Sequence, residues 1–307
     1  MKEDPYDWSK RKIEFLVDKI NPIKDDKMKT SPGQIWSIKK LLVLDYCIQG
    51  FVVIFRKYFE KWVYVDTHCG TGLIGFEEED LKDERFPGSP LIATFNSNDH
   101  QFTDYYFCDE DFESISALNT RLDTLKPILG SKNFNVIQRD FSATVLNLES
   151  RSHHNEGYFV FVDPQGFSEI KWNLMERLLK IRTADIFLTF MTPFIAMNRT
   201  NAENNESHAQ TMTEFYGDNE WSQCNGTDEL LEAYIKKIKK YKKNVFNIPV
   251  FRQGEIRLYD IIIATNSNGA GNIVLDAQKI MDVTTTELIT NALKVVTNKA
   301  DDLTKWF

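Results

Sequence analysis

Residues 64–72 read Tyr64-Val65-Asp66-Thr67-His68-Cys69-Gly70-Thr71-Gly72 and join an apolar segment to a glycine turn through one acid. The apolar run from Trp62 to Val65 is typical of a buried strand. Gly70 and Gly72 lack a Cβ, so the backbone there can approach a ligand closely. We expect Asp66 where the strand emerges, at the sheet edge where open α/β sheets bind ligands. The segment therefore predicts a nucleotide-like ligand with a cationic or hydroxyl-bearing part.

Composition limits the protein classes to consider. The chain has 307 residues, 42% of them hydrophobic, and a formal net charge of -8. This length suffices for one large α/β domain with extensions, or for two small domains. An acidic chain is a poor general binder of duplex DNA, because affinity for the DNA backbone comes from clustered Lys and Arg. No apolar run is long enough to span a bilayer, so no membrane partner is expected.

Four cysteines are scattered along the chain without the spacing of a zinc site: Cys47, Cys69, Cys108 and Cys224. No metal site is predicted from them. We expect reduced, mostly buried thiols, as in a cytoplasmic protein.

Five strands alternate with helical segments along the first two thirds of the chain: Trp62 to Asp66, Tyr105 to Cys108, Asn133 to Gln138, Tyr158 to Val162 and Ala184 to Met191. This alternation predicts a parallel sheet with helices on both faces. Val245 to Phe251 and Leu258 to Ala264 are too close for a crossover helix, so they predict an antiparallel hairpin. Five parallel strands and such a hairpin resemble the class I methyltransferase fold, a Rossmann-like α/β three-layer sandwich with a mostly parallel seven-stranded sheet.

Three parts are expected along the chain. Residues 1–60 form an N-terminal arm and helical extension, in which Ser37 caps a long helix. Residues 61–265 form the methyltransferase-like domain, and 200–229 within it are predicted to be an inserted loop with a short helix. Residues 266–307 form a C-terminal helical tail. The acidic stretch 76–84 is predicted to be a solvated loop, and the next helix is predicted to begin at Gly88-Ser89-Pro90 with Ser89 as its cap.

Gly70 to Gly75 also match the GxGxxG pattern of NAD and FAD sites. Two details favour S-adenosyl-L-methionine (SAM) instead. The strand ends in an acid shortly before the glycines, and a charged, broken segment follows them where a dinucleotide site requires a helix. SAM is therefore the predicted cofactor, and a tight turn without a ligand is the remaining alternative.

Further strand ends supply polar side chains for the same ligand. Asp109 ends the second strand, where a carboxylate can accept both ribose hydroxyls, with Glu110 as the second choice and a helix-capping role as the alternative. Asp140 could receive the adenine amino group, Phe141 could pack on the ring, and His68 could line the methyl-donor pocket. The predicted cofactor-binding residues are Asp66, His68, Gly70, Gly72, Asp109, Glu110, Asp140 and Phe141.

The fourth strand leads into Asp163-Pro164-Gln165-Gly166-Phe167. Methyltransferases that act on exocyclic amines carry an Asp/Asn-Pro-Pro-aromatic motif at this edge, where the carboxylate orients the amine and the aromatic ring stacks on the base. Asp163 and Phe167 are therefore the predicted catalytic residues. Gln165 replaces the second proline and Gly166 adds a residue, so a strand-end turn is the alternative.

A basic run, Lys236-Lys237-Ile238-Lys239-Lys240-Tyr241-Lys242-Lys243, ends a predicted amphipathic helix. Lysines at a helix C-terminus complement the helix dipole. The functional alternative is a nucleic-acid contact, in which this face binds phosphates in a salt-sensitive way.

Taken together, these segments resemble the three-Cys-motif partner proteins, a family that looks like class I methyltransferases. The resemblance covers most of residues 35–265, with Gly88-Ser89-Pro90 and Asp163-Pro164-Gln165-Gly166 as its most specific parts. Other matches are Ser37-Ile38-Lys39-Lys40, the segment 64–72, Phe190-Met191 with Arg199, and Tyr259 to Thr265. His68-Cys69-Gly70-Thr71-Gly72 stands where members usually carry Phe-Ala-Gly-Pro-Gly. The resemblance implies a partner protein with a cysteine motif, encoded by a neighbouring gene.

The sequence thus predicts a SAM-dependent methyltransferase acting on a nitrogen or oxygen of a nucleic acid or nucleotide-like acceptor. A protein or small-molecule acceptor is an open alternative. A noncatalytic scaffold that works through a protein partner and an NAD-binding oxidoreductase are others. A pocket filled by side chains such as Phe141 or Leu73 would favour the scaffold.

Overall fold

A seven-stranded sheet forms the centre of the part of the chain that the computed structural model describes, which is residues 3–96, 98–130, 132–252 and 256–296. Its strands are β2 (Lys61–Asp66), β5 (Asp104–Asp109), β6 (Asn133–Gln138), β7 (Glu156–Val162), β8 (Ala184–Phe190), β9 (Asn244–Arg252) and β10 (Ile256–Thr265). A second, three-stranded sheet consists of β1 (Ser31–Gly33), β3 (Leu73–Phe76) and β4 (Arg85–Pro87).

The order of the large sheet is β6-β5-β2-β7-β8-β10-β9. Strands β6, β5, β2, β7 and β8 are parallel, whereas β10 is antiparallel to both β8 and β9. This order and these directions are those of the class I methyltransferase fold, which confirms the predicted fold class. Because the five parallel strands end at one edge, the polar residues that follow them come together there.

Helices cover both faces of the sheet. They are α1 (Pro5–Lys19), α2 (Ser37–Tyr58), α3 (Ser89–Thr94), α4 (Phe112–Leu129), α5 (Phe141–Arg151), α6 (Trp172–Lys180), α7 (Thr192–Ala202), α8 (Glu206–Tyr216), α9 (Thr227–Ile238), α10 (Ala270–Val283) and α11 (Thr286–Val296). Successive residues of a strand point to opposite faces of the sheet and pack into two different hydrophobic clusters. Tyr64 joins the cluster under α2 and α10, whereas Val63 and Val65 join the cluster under α5 and α6. The four consecutive buried residues from Val63 to Asp66 are typical of a strand in a sheet covered on both faces.

The 200–229 segment, predicted to be an inserted loop with a short helix, contains one complete α-helix, α8, between the end of α7 and the start of α9. Its helix α8 begins at an Asn205 cap, whose side-chain oxygen accepts the Ser207 N–H at 3.0 Å, and ends at Gly217 with a left-handed φ of 77°. Met212 and Phe215 are buried. The polar composition indicates the helix only weakly, because only one narrow stripe of α8 enters the core.

The acidic stretch is a mostly exposed loop, as predicted, although Leu81 and Glu84 are buried. It connects β3 to β4, and β3 pairs in parallel with β1 from the N-terminal arm. Both predicted helix caps are off by one residue: Ser37 and Ser89 are the first helical residues, and Trp36 and Gly88 precede them.

The four cysteines are free and buried, as predicted. None of the helices in the described residues is long and apolar enough to cross a membrane. Within the same residues, no cluster of three or more His, Cys, Asp or Glu side chains could hold a metal ion. Of the predicted C-terminal tail, α10 and α11 are helical, and residues 297–307 lie outside the described residues.

Candidate functional site

A cleft of about 1290 Å³ opens at the edge where the parallel strands end. Sites for one small molecule span roughly 300 to 1,000 Å³, so this cleft has room for two reactants. Most predicted site residues line it: His68, Gly70, Gly72, Asp109, Glu110, Asp140, Phe141 and Asp163. We call one part the carboxylate end (Gly70, Asp109, Glu110, Asp140, Phe141) and the other the aromatic end (Trp36, Lys40, Asp163, Phe194, Tyr259). Phe141 and Leu73 line the cleft without filling it.

The glycine turn requires glycine at two positions. Gly70 and Gly72 have φ values of 58° and 84°, in the left-handed region. A Cβ at Gly70 would lie 2.6 Å from Ser31 Oγ, and one at Gly72 would lie 2.8 Å from Leu118 Cδ1. A residue with a side chain at either position would therefore collide with its neighbours, so the turn can adopt this path only with glycine.

A buried arginine holds this turn from behind. Arg121 on α4 donates from Nη1 to the Thr71 carbonyl at 2.8 Å. Its Nε and Nη2 donate to the two oxygens of Asp26 at 2.8 and 3.0 Å, a bidentate pair of fixed geometry. Arg121 and Asp26 could not be predicted from the sequence, because they lie 95 residues apart and belong to no motif.

Asp109 is fixed by two backbone amides. The Gly70 N–H donates to Oδ2 at 2.8 Å, and the Asp111 N–H donates to Oδ1 at 3.0 Å. The turn amide of Gly70 is thus bound to a carboxylate, and the chain after Gly72 continues into β3. A dinucleotide fingerprint needs the opposite arrangement, with free turn amides and a helix N-terminus facing the pyrophosphate. Residues 70–76 therefore lack the geometry of an NAD or FAD site.

The next strand end supplies a ring and further acids. Asp140 caps α5, because its Oδ1 accepts the Ala143 N–H at 2.7 Å. Phe141 is buried, and its ring stacks on the His68 ring with a centroid distance of 5.8 Å and an interplanar angle of 17°. Asp140 and Glu110 are exposed in the cleft. This end therefore presents carboxylates beside an aromatic wall.

His68 connects the glycine turn to the segment after β7. The Thr67 hydroxyl donates to the Phe161 carbonyl at 3.1 Å, and its oxygen lies 2.8 Å from His68 Nδ1. His68 Nε2 lies 3.4 Å from Glu169 Oε2. Burial lowers the pKa of His68 to about 4 and raises the pKa of Glu169. Because Glu169 Oε1 accepts the Gly166 N–H at 2.9 Å, this contact joins two loops that line the cleft.

Asp66 does not line the cleft, contrary to its predicted role as a ligand contact. It is fully buried and accepts the Tyr64 hydroxyl and the His68 N–H, each at 3.3 Å. Burial raises the pKa of Asp66 to about 7. Its carboxyl group therefore supports the turn from below. Burial also raises the thiol pKa values of Cys69 and Cys108, the opposite of what a cysteine nucleophile needs.

An ion pair dominates the aromatic end. Lys40 Nζ on α2 lies 2.6 Å from both carboxylate oxygens of Asp163, which follows β7. The side chains are 13% and 24% exposed, and Lys40 Nζ also lies 5.3 Å from the centroid of the Tyr259 ring. Lys40 could not be predicted as a partner of Asp163, because no spacing rule connects a helix residue to an acid 123 positions later. It entered the sequence-based predictions only as part of the resemblance.

Phe167 lies outside the cleft, which corrects its predicted stacking role. It is 6% exposed and packs edge-on against Phe215 at 5.1 Å between ring centroids. The added residue Gly166 precedes a 3-10 turn, Phe167–Glu169, that directs the ring into the core. Other aromatic side chains line this part of the cleft instead: Trp36, Phe194 and Tyr259.

The basic run contains two buried lysines with structural contacts and four exposed lysines. Lys237 pairs with Asp218, and Lys242 donates to the Ile181 and Ala184 carbonyls at 2.7 and 2.6 Å. Both lysines are buried and therefore unavailable to phosphates. The exposed members are Lys236, Lys239, Lys240 and Lys243. These lysines are not among the residues that line the cleft.

No protein-family model matches the sequence, and no curated protein matches it. Among solved structures, a Legionella pneumophila strain Philadelphia 1 protein of family DUF519 is 12% identical, with a TM-score of 0.47, over 84% of this chain and 92% of its own. An O-methyltransferase from Bacillus cereus in complex with SAH is 12% identical, with a TM-score of 0.41, over 84% and 91%. Trm1 from Pyrococcus horikoshii with S-adenosyl-L-methionine is 10% identical, with a TM-score of 0.40, over 83% and 75%. Our fold assignment rests on strand order and direction.

Proposed function

We propose that this protein is a SAM-dependent methyltransferase whose methyl donor binds at the carboxylate end of the cleft. The observation that carries the proposal is the bond from Gly70 N–H to Asp109, made inside a turn that requires glycine. Because Asp109 occupies this amide, the turn cannot bind a phosphate through it. The cleft instead presents the carboxylates of Asp109, Glu110 and Asp140, which we call the carboxylate wall. Such a wall attracts the cationic groups of SAM and repels a pyrophosphate.

The residues present fit the parts of SAM in order along the sheet edge. Asp109 is the acceptor for the ribose hydroxyls. Asp140 and Phe141 face the adenine, and the Gly70 to Gly72 turn faces the methionine part. When bound, SAM supplies an electrophilic methyl group on a sulfonium. The volume of the cleft leaves the aromatic end free for a second reactant.

At the aromatic end, Asp163 orients the acceptor and receives hydrogen bonds from it. Positioning of this kind supplies a large part of the rate gain in group transfer. The proposed acceptor is a nitrogen or oxygen of a nucleic acid or nucleotide-like molecule. The aromatic surfaces of Trp36 and Phe194 support this proposal, since rings stack on bases. The four exposed lysines, Lys236, Lys239, Lys240 and Lys243, would contact phosphates outside the cleft.

Calorimetry with SAM, S-adenosyl-L-homocysteine (SAH) and NAD tests the methyl-donor assignment. We expect both sulfur nucleosides to bind and NAD to bind more weakly than either. Tighter binding of NAD would move the assignment to an oxidoreductase. Binding of none of the three would favour a noncatalytic scaffold.

The resemblance to three-Cys-motif partner proteins adds a further proposal, a protein partner with a cysteine motif encoded by a neighbouring gene. Co-expression of the two chains and size-exclusion chromatography test it. A single co-eluting species supports the partner, and separate elution of two folded chains contradicts it.

A further inference from the structure

The Lys40–Asp163 pair is less exposed than a surface ion pair and joins distant parts of the fold. One ammonium lies 2.6 Å from both carboxylate oxygens, with both side chains largely buried. The Tyr259 ring lies on the same ammonium and replaces part of its hydration. Water and salt screen an exposed lysine pair strongly, whereas they weaken the attraction between these two largely buried groups less.

Asp163 alone would place a negative charge where the acceptor and the sulfonium meet. A bare carboxylate near a sulfonium stabilises bound SAM more than the neutral thioether of SAH. An ammonium bound to both oxygens cancels most of that preference, because opposite charges at nearly the same place produce opposite potentials.

We propose that Lys40 is a positioning residue of the methyl-transfer site, which fixes Asp163 and cancels its charge toward the methyl donor. This inference rests on the proposed SAM-binding function and deepens it. First, the carboxylate keeps one orientation toward the acceptor. Second, the site does not stabilise the sulfonium of bound SAM strongly. Such stabilisation would be lost as the methyl group leaves and would raise the barrier to transfer.

The test is the ratio of SAM affinity to SAH affinity, measured by calorimetry on the purified chain without an acceptor. SAH shares every group of SAM except the methyl and the charge, so a general loss of folding or binding cancels in the ratio. We expect Lys40→Met to raise the ratio about tenfold, which corresponds to 1.4 kcal/mol. Asp163→Asn should lower it about tenfold, because the ammonium then faces the sulfonium alone.

Three further variants complete the design. The double variant Lys40→Met/Asp163→Asn should return the ratio to within about threefold of the wild type. Lys40→Arg keeps the charge and should keep the ratio. Lys39→Met removes the same charge one residue away, from a side chain that is not among the cleft-lining residues, and should leave the ratio unchanged.

The outcomes separate the two levels of the proposal. If the wild type binds neither SAM nor SAH, the proposed function fails and this inference fails with it. If the wild type binds both and Lys40→Met leaves the ratio unchanged, the methyl-donor site is retained but the role of Lys40 is overturned. A shift of the same sign in Lys40→Met and Asp163→Asn would also overturn it.

Discussion

The two ends of the cleft are built in different ways. At the carboxylate end, the functional groups directly follow neighbouring strands, and backbone amides fix the acids, as for Asp109 and Asp140. At the aromatic end, side chains from α2, β10 and the turn after β7 meet, and an ion pair fixes the acid. The difference indicates that the part binding a common ligand is encoded locally, whereas the part selecting an acceptor depends on tertiary packing.

The strongest test of this comparison concerns Phe167, which lies behind the aromatic end. Phe167→Ala should lower the free energy of unfolding by about 3–5 kcal/mol, because it empties a packed site against Phe215. Chemical denaturation measures this loss. Phe112→Ala is the control, since its ring is 65% exposed and should cost under about 0.5 kcal/mol. A folded, stable Phe167→Ala protein without methyl transfer would restore the stacking role.

The next largest effect is expected for Asp163. Asp163→Ala should reduce the rate of methyl transfer at saturating SAM at least ~100-fold, the scale for a positioned catalytic group. The rate is measured as transfer of the labelled methyl group from tritiated SAM to the acceptor that the wild type methylates. SAH affinity should stay within about threefold, since SAH lacks the charge that faces this carboxylate. Reduced affinity for both ligands with an intact rate per bound SAM would assign Asp163 to methyl-donor binding.

The carboxylate end could be predicted because each of its groups follows a strand in a short motif. The strand order places Gly70, Asp109 and Asp140 together without any side-chain detail. Asp66 failed as a ligand contact, because the sequence does not reveal which side of the turn its carboxyl group occupies. Lys40 and Phe194 could not be predicted, since their place in the cleft depends on how α2 and α7 pack. The predicted stacking role of Phe167 was wrong, because one added residue, Gly166, changes the direction of the chain before the ring.

Asp109 provides a matched contrast to Lys40. Asp109→Asn should weaken SAM and SAH by a similar factor of about tenfold, because both carry the same ribose and the amide can accept only one of the two backbone N–H bonds that fix the carboxylate. Their ratio should stay within about threefold of the wild type, in contrast to the tenfold shift expected for Lys40→Met. Calorimetry with the two ligands measures both quantities. Asp123→Asn removes an exposed acid that pairs with Lys126 on the same helix, and serves as the control.

If Asp109→Asn changed the ratio as strongly as Lys40→Met, the sulfonium would lie near Asp109. The assignment of the two ends would then be reversed.

The smallest effect concerns His68, which lies between the two ends. Burial lowers its pKa from 6.5 to about 4, so between these values the unfolded chain binds a proton that the native chain does not. The stability contributed by His68 is therefore complete above pH 6.5 and is lost as the pH falls toward 4. His68→Gln removes this dependence. The stability gap between wild type and variant should widen by on the order of 1 kcal/mol from about pH 4.5 to about pH 7.

Denaturation curves at several pH values measure this gap, and His154→Gln at an exposed site is the control, for which the gap should not widen in this way. A gap that narrows as the pH rises would mean that His68 is protonated in the native chain and paired with Glu169. A cation would then stand at the boundary of the two ends. It would repel the positive charge of the methyl donor, and the carboxylates of Asp109, Glu110 and Asp140 would have to offset that repulsion.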